Sequence, residues 1–184
     1  LRTVQRHTET LSSLLDELMT LSRIEARDDR PAPTRIDVSR QVEDRIRRAR
    51  QASPEAASVE WQGGPGIEAP ISPEDLNLVV DHLLDNALKY TPKEEHVTVQ
   101  VTKGEDDVVL RVSDSGIGFD AEAADRLFER FYRTGAAEQQ ADGGGLGLPI
   151  VKAIAESYGG TVTARSPGPT DGSTFEVRFP SVAS

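Results

Sequence analysis

The segment Gly143-Gly144-Gly145-Leu146-Gly147-Leu148-Pro149-Ile150-Val151-Lys152 sets four glycines in five positions ahead of an amphipathic helix, whose apolar residues are Leu146, Ile150, Val151 and Ile154. Glycine leaves the backbone free to take positive φ and to approach a ligand closely. The unpaired N–H groups of a helix N-terminus then suit an anion, phosphate above all. Pro149 lacks an N–H and fits the first turn of that helix. The chemistry on offer is phosphate binding, although the same run would also serve as a plain loop. There is no Gly-Lys-Ser/Thr, and no G-x-G-x-x-G follows a strand, so the two commoner phosphate loops are absent.

A second group of residues could recognise a base. Val108, Leu110 and Val112 alternate as in a half-buried strand, which runs into Asp114 and a turn holding Gly116 and Gly118. A carboxylate there can accept a hydrogen bond from an amino group of a bound base. The alternative is a turn in which Asp114 bonds only its own backbone. A third group lies on a helix begun by Ser72 as N-cap, Pro73 at its first position and the acids Glu74 and Asp75. Leu76, Val79, Val80, Leu83, Leu84, Ala87 and Leu88 form its apolar face. His82, Asn86 and Lys89 follow one another down a second stripe. The Asn86 amide oxygen suits a hard cation such as Mg²⁺, and Lys89 suits a phosphate. Such a stripe can equally be the solvated edge of a core helix.

These pieces together resemble the ATP-binding domain of the sensor histidine kinases, in the wider Bergerat-fold ATPase superfamily. Asn86-Ala87-Leu88-Lys89-Tyr90-Thr91 is similar to its N box, and Asp114-Ser115-Gly116-Ile117-Gly118 to its first glycine box. Leu127-Phe128-Glu129-Arg130-Phe131-Tyr132-Arg133 is similar to its F box, and Gly143 to Leu148 to its second glycine box. The four boxes keep the family's order and spacing over roughly residues 70–180.

The resemblance implies ATP and Mg²⁺ as ligands. Asp114 would take the adenine amino group, with Gly116 and Gly118 shaping the pocket and Tyr90 lining or stacking on the base. Asn86 would hold Mg²⁺ and Lys89 a phosphate. Arg130 or Arg133 would reach the phosphates; sequence does not choose between them. Gly143, Gly145 and Gly147, with Leu146 and Leu148 in the same box, would form the hinge and N–H donors of a lid over residues 134–145. Thr174, in Gly172-Ser173-Thr174-Phe175, is similar to the residue at the adenine end. His82 departs from the commonest N box, which has Asn there, and from the hydrolases, which have Glu; it could contact a phosphate or a metal-bound water.

Residues 1–26 read as one amphipathic helix. Val4, Leu11 and Leu18 share one heptad position and Leu14 and Leu21 another, with His7 in the place those two repeat; Leu15, Met19 and Ile24 widen the stripe. Such a stripe needs partner helices. The part from Leu14 to Glu25 resembles the second helix of the kinase dimerisation and phosphotransfer domain, which implies a homodimer. The family's phosphoacceptor histidine sits on the first helix in a motif that this sequence lacks, so no catalytic residue is assigned, and His7 reads as a bundle residue. The chain divides into a helix and linker at 1–30 and an ATP-binding domain at 31–184. Asp28 to Pro33 is the linker.

The expected order continues with a strand at 34–38, a helix at 39–52, strands at 58–62 and 67–71 about the Gly63–Gly66 turn, and the helix 72–90. Strands at 97–101 and 108–113, helix at 121–128, helix at 146–158 ended by Gly159-Gly160, and strands at 161–166 and 173–179 follow. This is an α/β two-layer sandwich, a mixed sheet with helices on one face, preceded by a long helix.

The 184 residues carry a formal net charge of −10, which argues against nucleic acid or an anionic membrane as a general partner. With no cysteine there is no disulfide and no Cys-based zinc site. No apolar run reaches membrane-spanning length and no signal peptide is seen. The expectation is the cytoplasmic part of a larger bacterial kinase, with a response regulator as downstream partner. Two rivals are a noncatalytic nucleotide sensor and a hydrolytic Bergerat ATPase; the missing Glu at position 82 disfavours the second.

Overall fold

The computed structural model describes residues 2–27, 35–140 and 143–181, with side chains described from residue 11 onward. The linker at 28–33 and the His7 side chain lie outside the described residues. Helix α1 (Arg2–Glu25) leads to strand β1 (Arg35–Asp37), α2 (Val38–Ala52), β2 (Ser58–Gly63), β3 (Glu68–Pro70) and α3 (Pro73–Tyr90). Then come β4 (His96–Lys103), β5 (Asp107–Asp114), α4 (Gly135–Gln140), α5 (Gly147–Ser157), β6 (Thr161–Arg165) and β7 (Ser173–Pro180).

The main sheet has the order β2-β4-β5-β7-β6. Its β2–β4 pair is parallel and the others are antiparallel. Alternation decides which face is covered. Val97, Val99 and Val101, then Val108, Leu110 and Val112, then Phe175, Val177 and Phe179 are buried against the helices. On the opposite face Arg111 donates to Gln100 and Glu176. β3 pairs instead with β1, so the two strands beside the Gly63–Gly66 turn belong to different sheets.

The helix ends follow their local signals. Ser72 Oγ accepts from the Asp75 N–H at 3.1 Å, and Asp37 caps α2 through the Arg40 N–H at 2.9 Å. Gly159 takes φ 72° as α5 ends, and the Gly160 N–H returns to the Ala155 carbonyl at 2.8 Å. Two expectations are corrected. Residues 121–128 form two short 3₁₀ turns, Ala121–Ala123 and Arg126–Phe128, because only Ala123 among them is buried deeply enough to hold a longer helix down. The segment 134–145, expected as an unanchored lid, contains α4, with Ala137 buried.

The apolar stripe of α1 is divided between two faces. Leu21 and Ile24 are buried in the main core, with Leu14 packed against it, whereas Leu11, Leu15, Leu18 and Met19 are exposed. Beyond the helix, Arg27 grips the buried Asp75 through Nη1 at 2.7 Å and Nη2 at 3.2 Å. Tyr158 Oη donates to the same carboxylate at 2.7 Å and accepts from the Ser72 N–H. Glu25 meets Arg130 at 2.6 Å. Burying a Leu or Ile side chain is worth about 1.5–3 kcal/mol, whereas an exposed ion pair is worth about 0–1 kcal/mol. Leu21 and Ile24 therefore outweigh Glu25–Arg130 in holding the C-terminal end of α1 to the body.

Candidate nucleotide site

One cavity, of about 580 Å³, is walled by α3, the end of β5, the glycine segment, the start of α5, the start of β7 and the middle of α1. That volume lies in the usual range for small-molecule sites.

At one end stands Asp114, the last residue of β5. Its Oδ1 accepts from the Gly116 N–H at 2.8 Å and its Oδ2 from Ser173 Oγ at 2.5 Å. Burial pushes its carboxyl above the usual range, and the donors from Ser173 and Gly116 pull against that rise. Gly116 has to be glycine: a Cβ there would lie 2.3 Å from the Tyr90 carbonyl. The Ile117 N–H donates to that carbonyl at 3.3 Å, tying the turn to the end of α3.

The other end draws on α3, the segment after Arg133 and the glycines. Asn86, Lys89 and Tyr90 line the wall. Lys89 Nζ lies 5.5 Å from the centre of the Tyr90 ring and occupies the space that a side chain on Gly143 would need. Arg133 donates to the Gly143 carbonyl at 3.2 Å, to the Ala137 carbonyl at 2.5 Å and to Tyr90 Oη at 3.3 Å. It thus ties α4 and the glycine segment to α3. Gly145 takes φ 67°, and its carbonyl accepts from the Phe131 N–H at 2.9 Å. α5 starts without a side-chain cap, and Gly147 and Leu148 present its first turn to the cavity. His82 is half-buried beside Gly147, and burial lowers its pKa.

The structure thus brings together His82, Asn86, Lys89, Tyr90, Asp114, Gly118, Arg133, Gly143, Gly145, Gly147 and Leu148 around one space. Four other residues singled out from sequence stand elsewhere. Gly116 lies behind the wall against Tyr90. Arg130 turns to Glu25. Leu146 is buried in the core. Thr174 bonds Ser113 Oγ at 2.9 Å on the open face of the sheet, because alternation puts Ser173 and Phe175, not Thr174, on the cavity side.

Sequence reading missed Ser173, Asp85 and the α1 residues Ser13, Leu14 and Glu17, all of which line the cavity. Phe175 as a core residue carried the signal for Ser173 two positions earlier. For α1 the signal was Glu17 inside the 3-4-3 spacing of Leu14, Leu21 and Ile24. Burial raises the Glu17 carboxyl, Lys89 lowers it and Asp85 raises it, so all three charges lie close together. Among the described residues no three His, Asp or Glu side chains cluster to cage a metal. A hard cation here would need other oxygens besides the Asn86 amide, such as those of phosphates and water, which is how Mg²⁺ is commonly held.

Comparison with known proteins gives a consistent picture. Residues 71–183 match the family model described as histidine kinase-, DNA gyrase B-, and HSP90-like ATPase. The chain is 31% identical over 179 residues to the signal transduction histidine-protein kinase AfsQ2 of Streptomyces coelicolor, covering 97% of this chain and 32% of that protein. It is 32% identical over 174 residues to the sensor-like histidine kinase SenX3 of Mycobacterium tuberculosis, covering 94% and 42%. The chain therefore spans about a third to two fifths of these relatives. In fold it is similar to ShkA, solved full-length in complex with AMPPNP, with a TM-score of 0.78 at 24% identity over 99% of this chain and 39% of that one. Among the described residues no helix is long and apolar enough to cross a membrane.

Proposed function

The chain belongs to the family of histidine kinase-, DNA gyrase B-, and HSP90-like ATPases, and on that premise we propose that it is the ATP-binding catalytic core of a two-component sensor histidine kinase. The observation that carries the reading is the cavity's polarity. A half-buried carboxylate with two fixed donors stands at one end, and Lys89, Arg133 and the first turn of α5 stand at the other. Asp114 is aimed by Ser173 and Gly116 to accept from the adenine amino group. Tyr90, whose carbonyl meets the Asp114 turn and whose ring reaches Lys89 and Arg133, lines the wall between base and phosphates. Lys89, Arg133 and the α5 N–H groups take the phosphates. Asn86 supplies one oxygen for Mg²⁺, which when bound offsets charge on the phosphates. Gly116 supports these groups from outside the cavity, through its N–H on Asp114 and its packing against the Tyr90 carbonyl.

The chain's contribution is positioning and charge neutralisation. The γ-phosphoryl group leaves ADP and is taken by a histidine imidazole on a helix outside this chain, from which it passes to an aspartate of a response regulator. Residues 1–30 belong to the dimerisation and phosphotransfer helices, and the outward face of α1, with Leu11 62% and Leu15 61% exposed, receives a second copy. The whole is the cytoplasmic part of a larger kinase. The test is to add the full-length kinase, or a first-helix peptide bearing the acceptor, and to follow labelled ATP. Acid-labile label on the acceptor is expected. ATP binding with no transfer would make the chain a nucleotide sensor, and phosphate release by this chain alone would make it a hydrolase.

A further inference from the structure

In a division of labour by sequence, the nucleotide site would lie wholly in the domain after the linker. The structure seats the middle of α1 on it. Leu14 packs against Gly144 so closely that a Cβ on that glycine would lie 1.7 Å from Leu14 Cδ2. Ser13 and Glu17 stand beside it in the cavity wall. Glu17 is half-buried, and among charged groups Lys89 and Asp85 are the ones that act on its carboxylate. α1 is held in this place by Leu21 and Ile24 in the core and by Arg130 on Glu25, and the segment that follows it is held by Arg27 on Asp75.

We infer that α1 roofs the phosphate end of the cavity, with Glu17 facing the cation that a phosphate would take, so that docking of α1 and binding of a triphosphate oppose one another. The inference rests on the reading of the cavity as an ATP site. Two effects produce the opposition. Leu14 covers the glycine segment over which the outer phosphates would lie. An entering polyphosphate would also bring like charge to Glu17 and Asp85 in a partly desolvated place. Adenosine, which ends before the phosphates, escapes both. By reciprocity, whatever factor docked α1 takes from ATP affinity, ATP takes from α1 docking. A roofed glycine segment also bars an incoming imidazole from the terminal phosphate, so α1 sets when transfer can begin.

The chain has no cysteine, which permits a direct test. Leu14→Cys with Gly144→Cys places two thiols at the contact. On mild oxidation the free protein should form the bond between them. The oxidised form should bind Mg·ATP at least about tenfold more weakly than the same protein after reduction, with adenosine binding changed by less than about twofold. Separately, Glu17→Gln in the native chain should raise Mg·ATP affinity about three- to tenfold and leave adenosine unchanged. No bond on oxidation, equal ATP affinities of oxidised and reduced protein, or no ATP gain from Glu17→Gln would each overturn the inference. A fall in ATP affinity on Glu17→Gln would instead make the carboxylate part of the binding set. If neither ATP nor adenosine binds any form, the reading of the cavity as an ATP site falls and takes this inference with it. A bond that still forms on oxidation would show that the failure lay in the site and not in the docking of α1.

Discussion

At one end of the cavity, Asp114 and Ser173 face each other in the register of two adjacent strands, and the turn after Asp114 is bonded to the end of α3. At the other end, Lys89, Arg133, the glycine segment, the start of α5 and the middle of α1 meet without sharing any ladder. The first end is as rigid as the sheet. The second exists only while several separately supported elements keep their places. A base pocket fixed by a ladder and a phosphate pocket assembled from movable pieces is an arrangement in which recognition is constant and chemistry can be switched.

That contrast can be attacked at its strongest point with Asp114→Asn, which turns an acceptor into a mixed donor and acceptor. A mismatched polar pair, shut off from water by the bound base, costs about 1–3 kcal/mol, so ATP and adenosine should both bind roughly 5- to 150-fold more weakly by titration calorimetry. A loss confined to ATP would show that Asp114 does not serve the base. Asn86→Ala should strike the other end only. Loss of about 1.5 kcal/mol, roughly tenfold, is expected for Mg·ATP, with metal-free ADP little affected. Equal losses would indicate a packing fault in α3.

The alternation of β7 gives a finer test. Ser173→Ala removes a donor to Asp114 and should cost about 1 kcal/mol, or roughly fivefold in adenosine affinity, while Thr174→Val should cost less than about twofold. The reverse order would put the open face of the sheet in charge of the base.

The smallest effect is expected from His82. Its pKa is lowered by burial in the fold from 6.5. Near and below that value the unfolded chain takes a proton that the folded one refuses, so stability should fall as pH drops below 6.5. Denaturant unfolding of His82→Gln should show a flatter profile over that window. The raised carboxyls of Asp114 and Asp85 act in the opposite direction, since their folded forms hold protons that the unfolded ones lose, which is why the comparison must be with the variant.

Sequence patterns and structure agree best where the cause is local. The apolar face and N-cap of α3, the valine alternation of β4 and β5, and the glycine stop after α5 depend on neighbours a turn or a strand pair away. Residues 121–128 shortened to two 3₁₀ turns because too little of that segment is buried, which no window of sequence reports. In the site, Asn86, Lys89 and Asp114 were legible because unusual residue types sit at element ends or among apolar neighbours. Thr174 and Ser173 were confused because a motif names both, while only strand parity separates them. Leu14 and Glu17 were out of reach for a different reason. Their part in the cavity depends on how α1 folds back across more than a hundred residues of chain, and its apolar stripe reads equally well as one face or two.

The grip of Arg27 on Asp75 has a mechanical side. Arg27 is joined to the carboxylate at both of its terminal nitrogens, just beyond the end of a helix of 24 residues. At 1.5 Å per residue that helix is a rod of about 36 Å. Pivoted at its C-terminal end, it is a lever: a tilt of about 5° moves the far tip about 3 Å and moves Leu14, some 16 Å from the pivot, about 1.4 Å. The tip stands about 18 Å along the helix beyond Leu14. A twist or tilt imposed there by any upstream part would be felt at the glycine segment as a displacement of about one carbon–carbon bond, enough to lift a side chain out of van der Waals contact.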